Sequence, residues 1–532
     1  MMLVPPLLGY AETHYKMGFV PSLLKKNEPE IIFDAPHRLS PGSDLPVLLL
    51  IKDAHRYPVQ VLDAAVELTV PGRPVVRRSF DLGGETVEAP WWWRVLQVPR
   101  PDDLTGDATV RVQGRFRQGE REFTVVADNH AKTSHEPFAI HLAEEPLPYP
   151  EGWHAGDMHT HSHLTADQVE FGVPWDAALP LVRALGLSWF AVADHSYDLD
   201  DHHHSFLERD PDLKKWHQLW QAADELEARG GDVVLLPGEE LSVGNSHRRN
   251  VHMLILGNRE FFDGWGDSAE RWLRNKPQWL IPAVLERLDA TALVAAAHPG
   301  APVPALEWLL LRRGRWTSRD LQHPRLDGMQ VLNGAFDDSF DRGLSLWIRM
   351  LLSGARLLLY GGNDAHGNFA RFRQIGFPFF TMREGPDQRF GVAKTVVYLG
   401  GPPDRQSLLR ALKQGQVVVT DGPFLEIHLR GQNGAESRMG QVFRGAPQSL
   451  HLRARSSPEY GYVREISVWL GAIGGREVRV QRIRRTKLAY TYETEVRLPS
   501  LPRSGYIRAV LFTRRNGDHY AFTNPVWFDQ TG

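Results

Sequence analysis

The sequence contains no cysteine. This absence excludes disulfides, thiolate nucleophiles and cysteine-ligated zinc or iron–sulfur sites, so any metal must be bound by His, Asp or Glu. Excess charge is also small, because 61 Lys and Arg residues nearly balance 64 Asp and Glu residues and leave a net charge of −3. A chain with this balance gives no reason to expect nucleic acid as a partner.

Long hydrophobic runs are missing as well. No apolar stretch approaches the roughly 18–20 residues of a membrane-spanning helix. The apolar start, MMLVPPLL, has neither the basic segment nor the A-x-A-type cleavage site of a signal peptide. We therefore expect no membrane partner and a cytoplasmic location. The length of 532 residues predicts two or three domains, and the 42% of hydrophobic residues allow a large core.

Local patterns divide the chain into three regions. Residues 1–150 contain short alternating runs separated by Gly, Pro and Asp, which predicts an N-terminal β-sandwich. Residues 391–532 predict a C-terminal β-sandwich after one helix at 405–413. In residues 151–390, short apolar strands alternate with helices, which favours parallel βα units in a barrel or a doubly wound sheet. The strands are predicted at 188–193, 233–236, 251–256, 292–297, 329–332 and 356–360, and the helices at 175–185, 212–228, 282–288 and 342–352.

Polar residues of the types that bind metals follow the ends of these central strands. They are His159 and His161, Asp194 and His195, Glu239 and Glu240, His298, and Asp364 and His366. Because the carboxyl ends of parallel strands form one rim, we expect these side chains to meet there. A single His-x-His pair is more often structural, but five such strand ends in one chain favour a metal site.

The spacing within the motifs suits metal binding. His159 and His161 are two residues apart, so on a strand both rings face the same side and can reach one ion. Asp364 and His366 repeat this spacing. A carboxylate such as Glu240 can bridge two cations, and clustered divalent ions bring the pKa of a bound water close to neutrality. The pattern therefore predicts a hydrolytic metal centre.

In these motifs the chain resembles the PHP (polymerase and histidinol phosphatase) family. The matching segments are GDMHTH (156–161), VADH (192–195), PGEE (237–240), VHMLILG (251–257), AAHP (296–299) and GNDAH (362–366). The flanking β regions and LRALKQGQVVVTDGP (409–423) resemble its carbaryl-hydrolase-like (CehA/McbA) branch. The resemblance implies an α/β fold, a distorted (β/α)7 barrel at 151–390 between the two β-sandwiches. It also implies two or three divalent ions, which could be zinc, manganese or iron.

The resemblance further implies a ligand set. The first metal would be held by His159, His161, Glu240 and Asp364, the second by Glu240, His252 and His298, and the third by His195 and His366 with help from the first motif. Asp194 is also a candidate ligand. Three alternatives stay open: Asp167 or His163 as the additional ligand of the third metal, Glu239 in place of Glu240, and His247 in place of His252.

The expected activity is hydrolysis of a phosphoester by a metal-activated hydroxide, with a small anionic or ester molecule as substrate. The candidate catalytic residues are His195, His298, Asp364 and Arg373. Arg373 is one of four arginines near the motifs, with Arg248, Arg249 and Arg371, that could bind an anionic group. The alternatives are carbamate or carboxylic-ester hydrolysis at the same site and, in another class, a non-catalytic binding protein. The sequence does not identify the substrate or the oligomeric state.

Overall fold

The computed structural model describes residues 28–129, 135–165, 172–203, 205–268, 275–371, 374–377, 380–383, 388–432 and 434–530. Strands predominate in these ranges, and the helices are short. None of the helices in the described ranges is both long and apolar enough to cross a membrane.

The N-terminal region consists of two sheets with a shared hydrophobic core. Its strands are β1 (Glu30–Asp34), β2 (Arg38–Leu39), β3 (Leu45–Lys52), β4 (Val59–Thr69), β5 (Val76–Val87), β6 (Trp91–Val98), β7 (Gly106–Gln118), β8 (Arg121–Val126) and β9 (Phe138–Leu142). One sheet has the order β1-β3-β6. The other has the order β2-β9-β7-β4-β5, and β8 pairs with β7.

Strand β3 is buried along its whole length. Its side chains alternate between two cores: Leu49 and Ile51 lie in the N-terminal core, whereas Leu48 and Leu50 pack into the core of the central region. A strand that is buried on both faces has no polar face, which explains its continuous apolar sequence. The N-terminal sheet is therefore packed directly onto the central region.

The central region alternates strands and helices along the chain. Its strands are β10 (Trp153–Thr160), β11 (Trp189–His195), β12 (Asp201–His202), β13 (Ser205–Arg209), β14 (Val234–Gly244), β15 (Asn250–Leu256), β16 (Leu293–Ala297), β17 (Gly328–Asn333), β18 (Leu358–Gly362), β19 (Gln374–Phe377) and β20 (Phe380–Arg383). Its helices are α1 (Trp175–Leu185), α2 (Ser196–Leu199), α3 (Lys214–Ala228), α4 (Ile281–Leu285), α5 (Ala305–Leu310), α6 (Ser318–Leu321) and α7 (Asp338–Leu352).

The C-terminal region is again built mostly from strands. They are β21 (Lys394–Tyr398), β22 (Val417–Thr420), β23 (Phe424–Arg430), β24 (Glu436–Arg438), β25 (Val442–Arg444), β26 (Ser449–Arg455), β27 (Tyr462–Ala472), β28 (Glu477–Arg484), β29 (Thr491–Arg497), β30 (Ser504–Arg514), β31 (Asp518–Thr523) and β32 (Val526–Asp529). One helix, α8 (Arg405–Gln414), precedes β22 and begins with a capping box at Asp404.

The expected distorted (β/α)7 barrel is wrong for this chain. The central strands have the order β18-β17-β16-β15-β14-β11-β10, and the ladder continues from β10 through β21, β22 and β31 into the C-terminal sheet. The chain after β18 meets β10 at an isolated bridge between Thr160 and Ala365, not in a ladder of paired strands. Strand β15 is antiparallel to both of its neighbours, β14 and β16. The physical reason lies in the connection at residues 245–249, which is far shorter than the dozen or so residues that a parallel crossover needs.

Two hydrophobic cores lie on opposite faces of the central sheet. Along β11, Phe190 and Val192 point into one core and Trp189 and Ala191 into the other. The first of these cores also includes Phe424 of the C-terminal region. The predicted boundaries near residues 150 and 390 stay a prediction. This core continues across both of them, and the sheet continues across the one near 390.

Candidate metal centre

The predicted metal-binding side chains come from six central strands. His159 is near the end of β10, His195 ends β11, His298 follows β16 and Asp364 follows β18. His252 instead lies close to the start of β15. Because β15 is antiparallel to β14, its start lies at the same rim as the ends of the parallel strands, so the hairpin brings His252 to the other ligands.

Glu240 lies at the centre of the group. Its Oε1 is 2.9 Å from His252 Nδ1 and 3.0 Å from His298 Nε2. Its Oε2 is 3.1 Å from His195 Nδ1 and 3.3 Å from His159 Nε2. The two carboxylate oxygens thus face two separate sets of imidazoles, which is the arrangement of a carboxylate that bridges two cations.

Asp364 contacts the two histidines of the first motif, His159 and His161. Its Oδ1 is 3.0 Å from His161 Nε2 and 3.5 Å from His159 Nε2. His159, His161, Glu240 and Asp364 each offer one ligand atom within 4.8 Å of the others, and all four are buried. This is the set that the family resemblance implies for the first metal.

Two further groups share members with the first. One consists of His195, Glu240 and His252, and the other of His161, His195 and His366. In the second group, the ring of His366 stacks on that of His161 with 4.1 Å between centroids. These buried groups could hold metal ions. His298, which the resemblance implies for the second metal, is outside the three groups but contacts Glu240.

Several buried nitrogen and oxygen atoms at the centre have no hydrogen-bond partner in the described part of the chain and are suited to bind a cation. His159 Nε2, His161 Nδ1, both ring nitrogens of His195 and Glu240 Oε2 are buried without a hydrogen bond among the described residues. Leaving a buried polar atom unsatisfied costs about 1–3 kcal/mol. Several such atoms around one point are expected of metal ligands, because a cation satisfies all of them together.

Residues behind the ligands orient two of the imidazoles. Gln330 Oε1 lies 2.9 Å from His159 Nδ1, which leaves Nε2 to face Glu240. Asp267 Oδ2 lies 3.1 Å from His252 Nε2, which leaves Nδ1 to face Glu240. A carboxylate behind a histidine is the usual partner of a metal-ligating ring.

Charges within the centre shift its pKa values in opposite directions. Burial alone would raise the pKa of Glu240, but the charges of His252 and His159 hold it well below its ordinary value. Burial would likewise lower the pKa of His159, but Glu240 and Asp364 raise it to about 9. Burial and the nearby rings of His366 and His195 lower the pKa of His161. The carboxylates are therefore ionised at neutral pH.

Two of the candidate ligands have unusual backbone conformations. His298 has φ of 28° and Asp364 has φ of 53°, both in the left-handed region that residues other than glycine rarely adopt. Such residues persist only where the surrounding structure enforces them, and they concentrate at functional sites. Both lie just after a strand, where the chain turns away from the sheet while the side chain of His298 contacts Glu240 and that of Asp364 contacts His161.

The neighbouring carboxylate, Glu239, faces away from the centre. Its Oε2 accepts a hydrogen bond of 2.8 Å from Ser196 Oγ, and its Oε1 accepts one of 3.3 Å from Phe262 N. Burial raises its pKa to about 8. Adjacent residues of a strand point to opposite faces, so only one of the pair can enter the centre, and that residue is Glu240.

Several other candidates are not brought into the centre. Asp194 belongs to none of the three groups, and its carboxylate accepts hydrogen bonds from Ser162 and Thr165, although its Oδ1 lies 4.0 Å from His161 Nδ1. His163 packs between Trp rings, and burial lowers its pKa to about 3. His247 is exposed. Asp167 and Arg373 lie outside the described residues.

The sequence interpretation missed Gln330 and Asp267. The sequence could have indicated Gln330, since it is a polar residue inside the apolar run of β17. No sequence pattern indicates Asp267, because it lies in the irregular chain between β15 and α4. It also accepts hydrogen bonds from Ser242 Oγ and lies 2.9 Å from Arg313 Nε.

Comparisons with known proteins give no family. No protein-family model and no curated protein matches the chain. Among solved structures, β-glucuronidase from Parabacteroides merdae is 11% identical to this chain, with a TM-score of 0.19. The match covers 94% of this chain and 65% of the β-glucuronidase chain. A glycosyl hydrolase family 2 member from Bacteroides cellulosilyticus is 12% identical, with a TM-score of 0.16. This match covers 94% of this chain and 63% of the hydrolase chain. The chain thus spans less than two thirds of either protein, and likeness this low carries no argument about its fold or activity.

Proposed function

We propose that this protein is a metal-dependent hydrolase that cleaves phosphoester bonds. The observation that carries the proposal is the position of Glu240, whose two oxygens face separate sets of imidazoles at 2.9–3.3 Å. Two or more divalent ions held there would activate water and stabilise the charge that develops on a transferred phosphoryl group. This arrangement agrees with the resemblance to the PHP family in the motifs between residues 156 and 366.

The residues of the centre would have two roles, ion binding and proton transfer. Glu240, His159, His161 and Asp364 are almost fully buried and would hold ions away from bulk water. The side chain of His298 is 13% exposed, which is more than that of the other imidazoles that contact Glu240. Substrate would therefore approach from the side of His298, whose ring could hold a proton for the leaving oxygen.

The test is an assay of purified protein loaded with manganese or zinc. Aryl phosphate monoesters and diesters are the substrates, and metal content is measured on the same preparation. We expect at least one ion per chain and turnover that falls by about 10³ in a His159→Ala, His161→Ala double variant, since metal stabilisation supplies several kcal/mol. His154→Asn, at the other end of strand β10, is the matched control and should retain activity.

The outcomes are separable. Metal-loaded protein that turns over no phosphoester would contradict the phosphoester proposal. Protein that binds less than one ion per chain without chelators would contradict the metal centre as well and favour a non-catalytic binding protein.

A second candidate is hydrolysis of a carbamate or carboxylic ester at the same centre. The observation that favours it concerns two arginines that were candidates for anion binding. Arg371 pairs with Asp128 at 3.3 Å, and Arg249 stacks on Trp308 with its guanidinium 3.9 Å from the ring centroid. Both guanidinium groups already contact protein groups. A neutral substrate, which needs no cationic partner, would therefore lose no interaction with them. Aryl carbamates and naphthyl esters in the same assay separate the two candidates.

A further inference from the structure

The loop after the last metal motif is held by the N-terminal region. Asp34, at the end of β1, is 2% exposed, and its carboxylate accepts three consecutive backbone N–H groups. The distances are 2.8 Å from Phe369 N, 3.0 Å from Ala370 N and 3.0 Å from Arg371 N. Burial raises the pKa of Asp34, while these donors and the charge of Arg371 act in the opposite direction.

Further contacts fix the same loop from the same side. His37 Nδ1 lies 3.0 Å from the carbonyl oxygen of Phe369. Ala370 is buried in the hydrophobic core of the N-terminal region, and Arg371 Nη1 lies 3.3 Å from Asp128 Oδ2. The loop is thus attached to the N-terminal sheets by backbone, apolar and charged contacts together.

This loop begins directly after a ligand of the candidate centre. His366 precedes Phe369 by three residues, and its ring stacks on that of His161. Between them, Gly367 has φ of 72°, and a Cβ at this position would lie 2.8 Å from Val173 N. A loop with so little room transmits a displacement at Phe369 to the backbone of His366, because the intervening residues cannot absorb it.

We propose that Asp34 is a positioning residue for the metal centre, which fixes His366 by binding the backbone N–H groups of residues 369–371. This inference rests on the proposed function of the centre and extends it to the N-terminal region, which contributes none of the side chains of the three metal-binding groups. The third group, of His161, His195 and His366, therefore depends on a carboxylate from another part of the chain.

The experiment compares metal binding by wild type and Asp34→Asn. Asparagine keeps the shape, but its NH2 group is a donor and would oppose one of the three backbone donors. We expect the affinity for the weakest-bound ion, measured by chelator competition, to fall about tenfold, as is usual when a supporting residue behind a ligand is lost. The tighter ions should stay bound, activity should recover at high metal concentration, and backbone amides of 366–371 should exchange faster.

Asp327→Asn is the matched control. Asp327 also accepts a backbone hydrogen bond, from Val294 N at 2.9 Å, but it precedes strand β17 and so lies at the end of the parallel strands opposite to His298. This variant should lose stability and keep the wild-type metal affinity. If Asp34→Asn also lowers only the melting temperature and leaves metal affinity unchanged, the proposal is overturned.

A second variant covers the case in which Asp34→Asn does not fold. His37→Ala removes one contact to the same loop, from a half-buried side chain, and should weaken the same ion to a smaller degree. Unchanged affinity in this variant would overturn the proposal. Wild-type protein that binds no metal would instead overturn the proposed function itself, so the two failures are distinguishable.

Discussion

At the scale of single residues, the adjacent acids Glu239 and Glu240 have opposite environments. Glu239 is held by Ser196 and by a backbone N–H, and burial raises its pKa to about 8. Among the described residues, the two oxygens of Glu240 contact imidazoles, whose charges lower its pKa against the effect of burial. The difference follows from the alternation of a strand, which sends one side chain to each face.

The first prediction concerns this pair. Glu240→Gln should lose the bridging charge, bind at least one ion fewer per chain and lower kcat by about 10³, since several kcal/mol of stabilisation depend on the ions. Glu239→Gln is the matched control and should bind the wild-type number of ions. Metal analysis and turnover of both variants decide it. Equal metal loss in the two variants would contradict the assignment of Glu240.

The second prediction concerns protons released by metal binding. In metal-free protein, Glu240 and Asp364 raise the pKa of His159 to about 9 against the effect of burial, so its ring is protonated at neutral pH. A metal ligand must be neutral imidazole, so binding must displace this proton. Metal affinity should therefore rise with pH up to about 9. Titration calorimetry in two buffers of different ionisation enthalpy measures the protons, and identical heats in both would refute the prediction.

At the scale of secondary structure elements, the β14–β15 hairpin decides how the centre is assembled. The short connection at residues 245–249 forces β15 to run antiparallel to β14. Ser242 and His252 are therefore cross-strand partners, and His252 faces the same rim as Glu240 although it lies near the start of its strand. Sequence patterns predicted the segment at 251–256 well but gave the wrong direction for it within the sheet.

The third prediction concerns strand β3, which is buried on both faces. Leu48 is 1% exposed and packs into a central core, whereas Leu49 is 0% exposed and packs into the N-terminal core. Leu48→Ala and Leu49→Ala should each cost about 2–5 kcal/mol of unfolding free energy, because either leaves a cavity. Chemical denaturation measures the loss. A variant at either position that costs less than about 0.5 kcal/mol would show that one face is not packed.

At the scale of the whole molecule, the central sheet depends on the C-terminal region. Strand β10, which carries the first metal motif, pairs along its second edge with β21. Asn524 also bonds to both backbone groups of Leu359 in β18, at 2.7 Å and 3.0 Å. The two ends of the central strand order are therefore both secured by residues beyond position 390.

The fourth prediction follows from these contacts. A fragment of residues 151–390 should not fold independently, because it would expose the edge of β10 and part of a shared core. Thermal melting followed by circular dichroism, with metal analysis, compares the fragment with the full chain. The expected result is no cooperative transition and no bound metal. A fragment that melts cooperatively and keeps its ions would contradict the prediction and support independent domains.

The local sequence determined much of this protein. Apolar periodicity predicted helices 175–185 and 405–413 to within one residue of α1 and α8. It also predicted most of the central strands, because such segments depend on which face each residue buries. The motifs also contain the His, Asp and Glu residues that the structure brings together in three groups that could hold metal ions.

Only the tertiary structure decided the rest. The path of the sheet into the C-terminal region and the role of Asp34 depend on contacts between distant parts of the chain. The direction of β15 and the contact of Asp267 with His252 depend on how nearer segments fold back on each other. Asp194, a candidate ligand near the end of a strand, accepts hydrogen bonds from Ser162 and Thr165, and its Oδ1 lies 4.0 Å from His161 Nδ1. Local patterns specify which residues are buried and in what conformation. The partner of a buried polar group is set by packing between segments, which are 15 residues apart for Asp267 and His252 and 335 residues apart for Asp34 and Phe369.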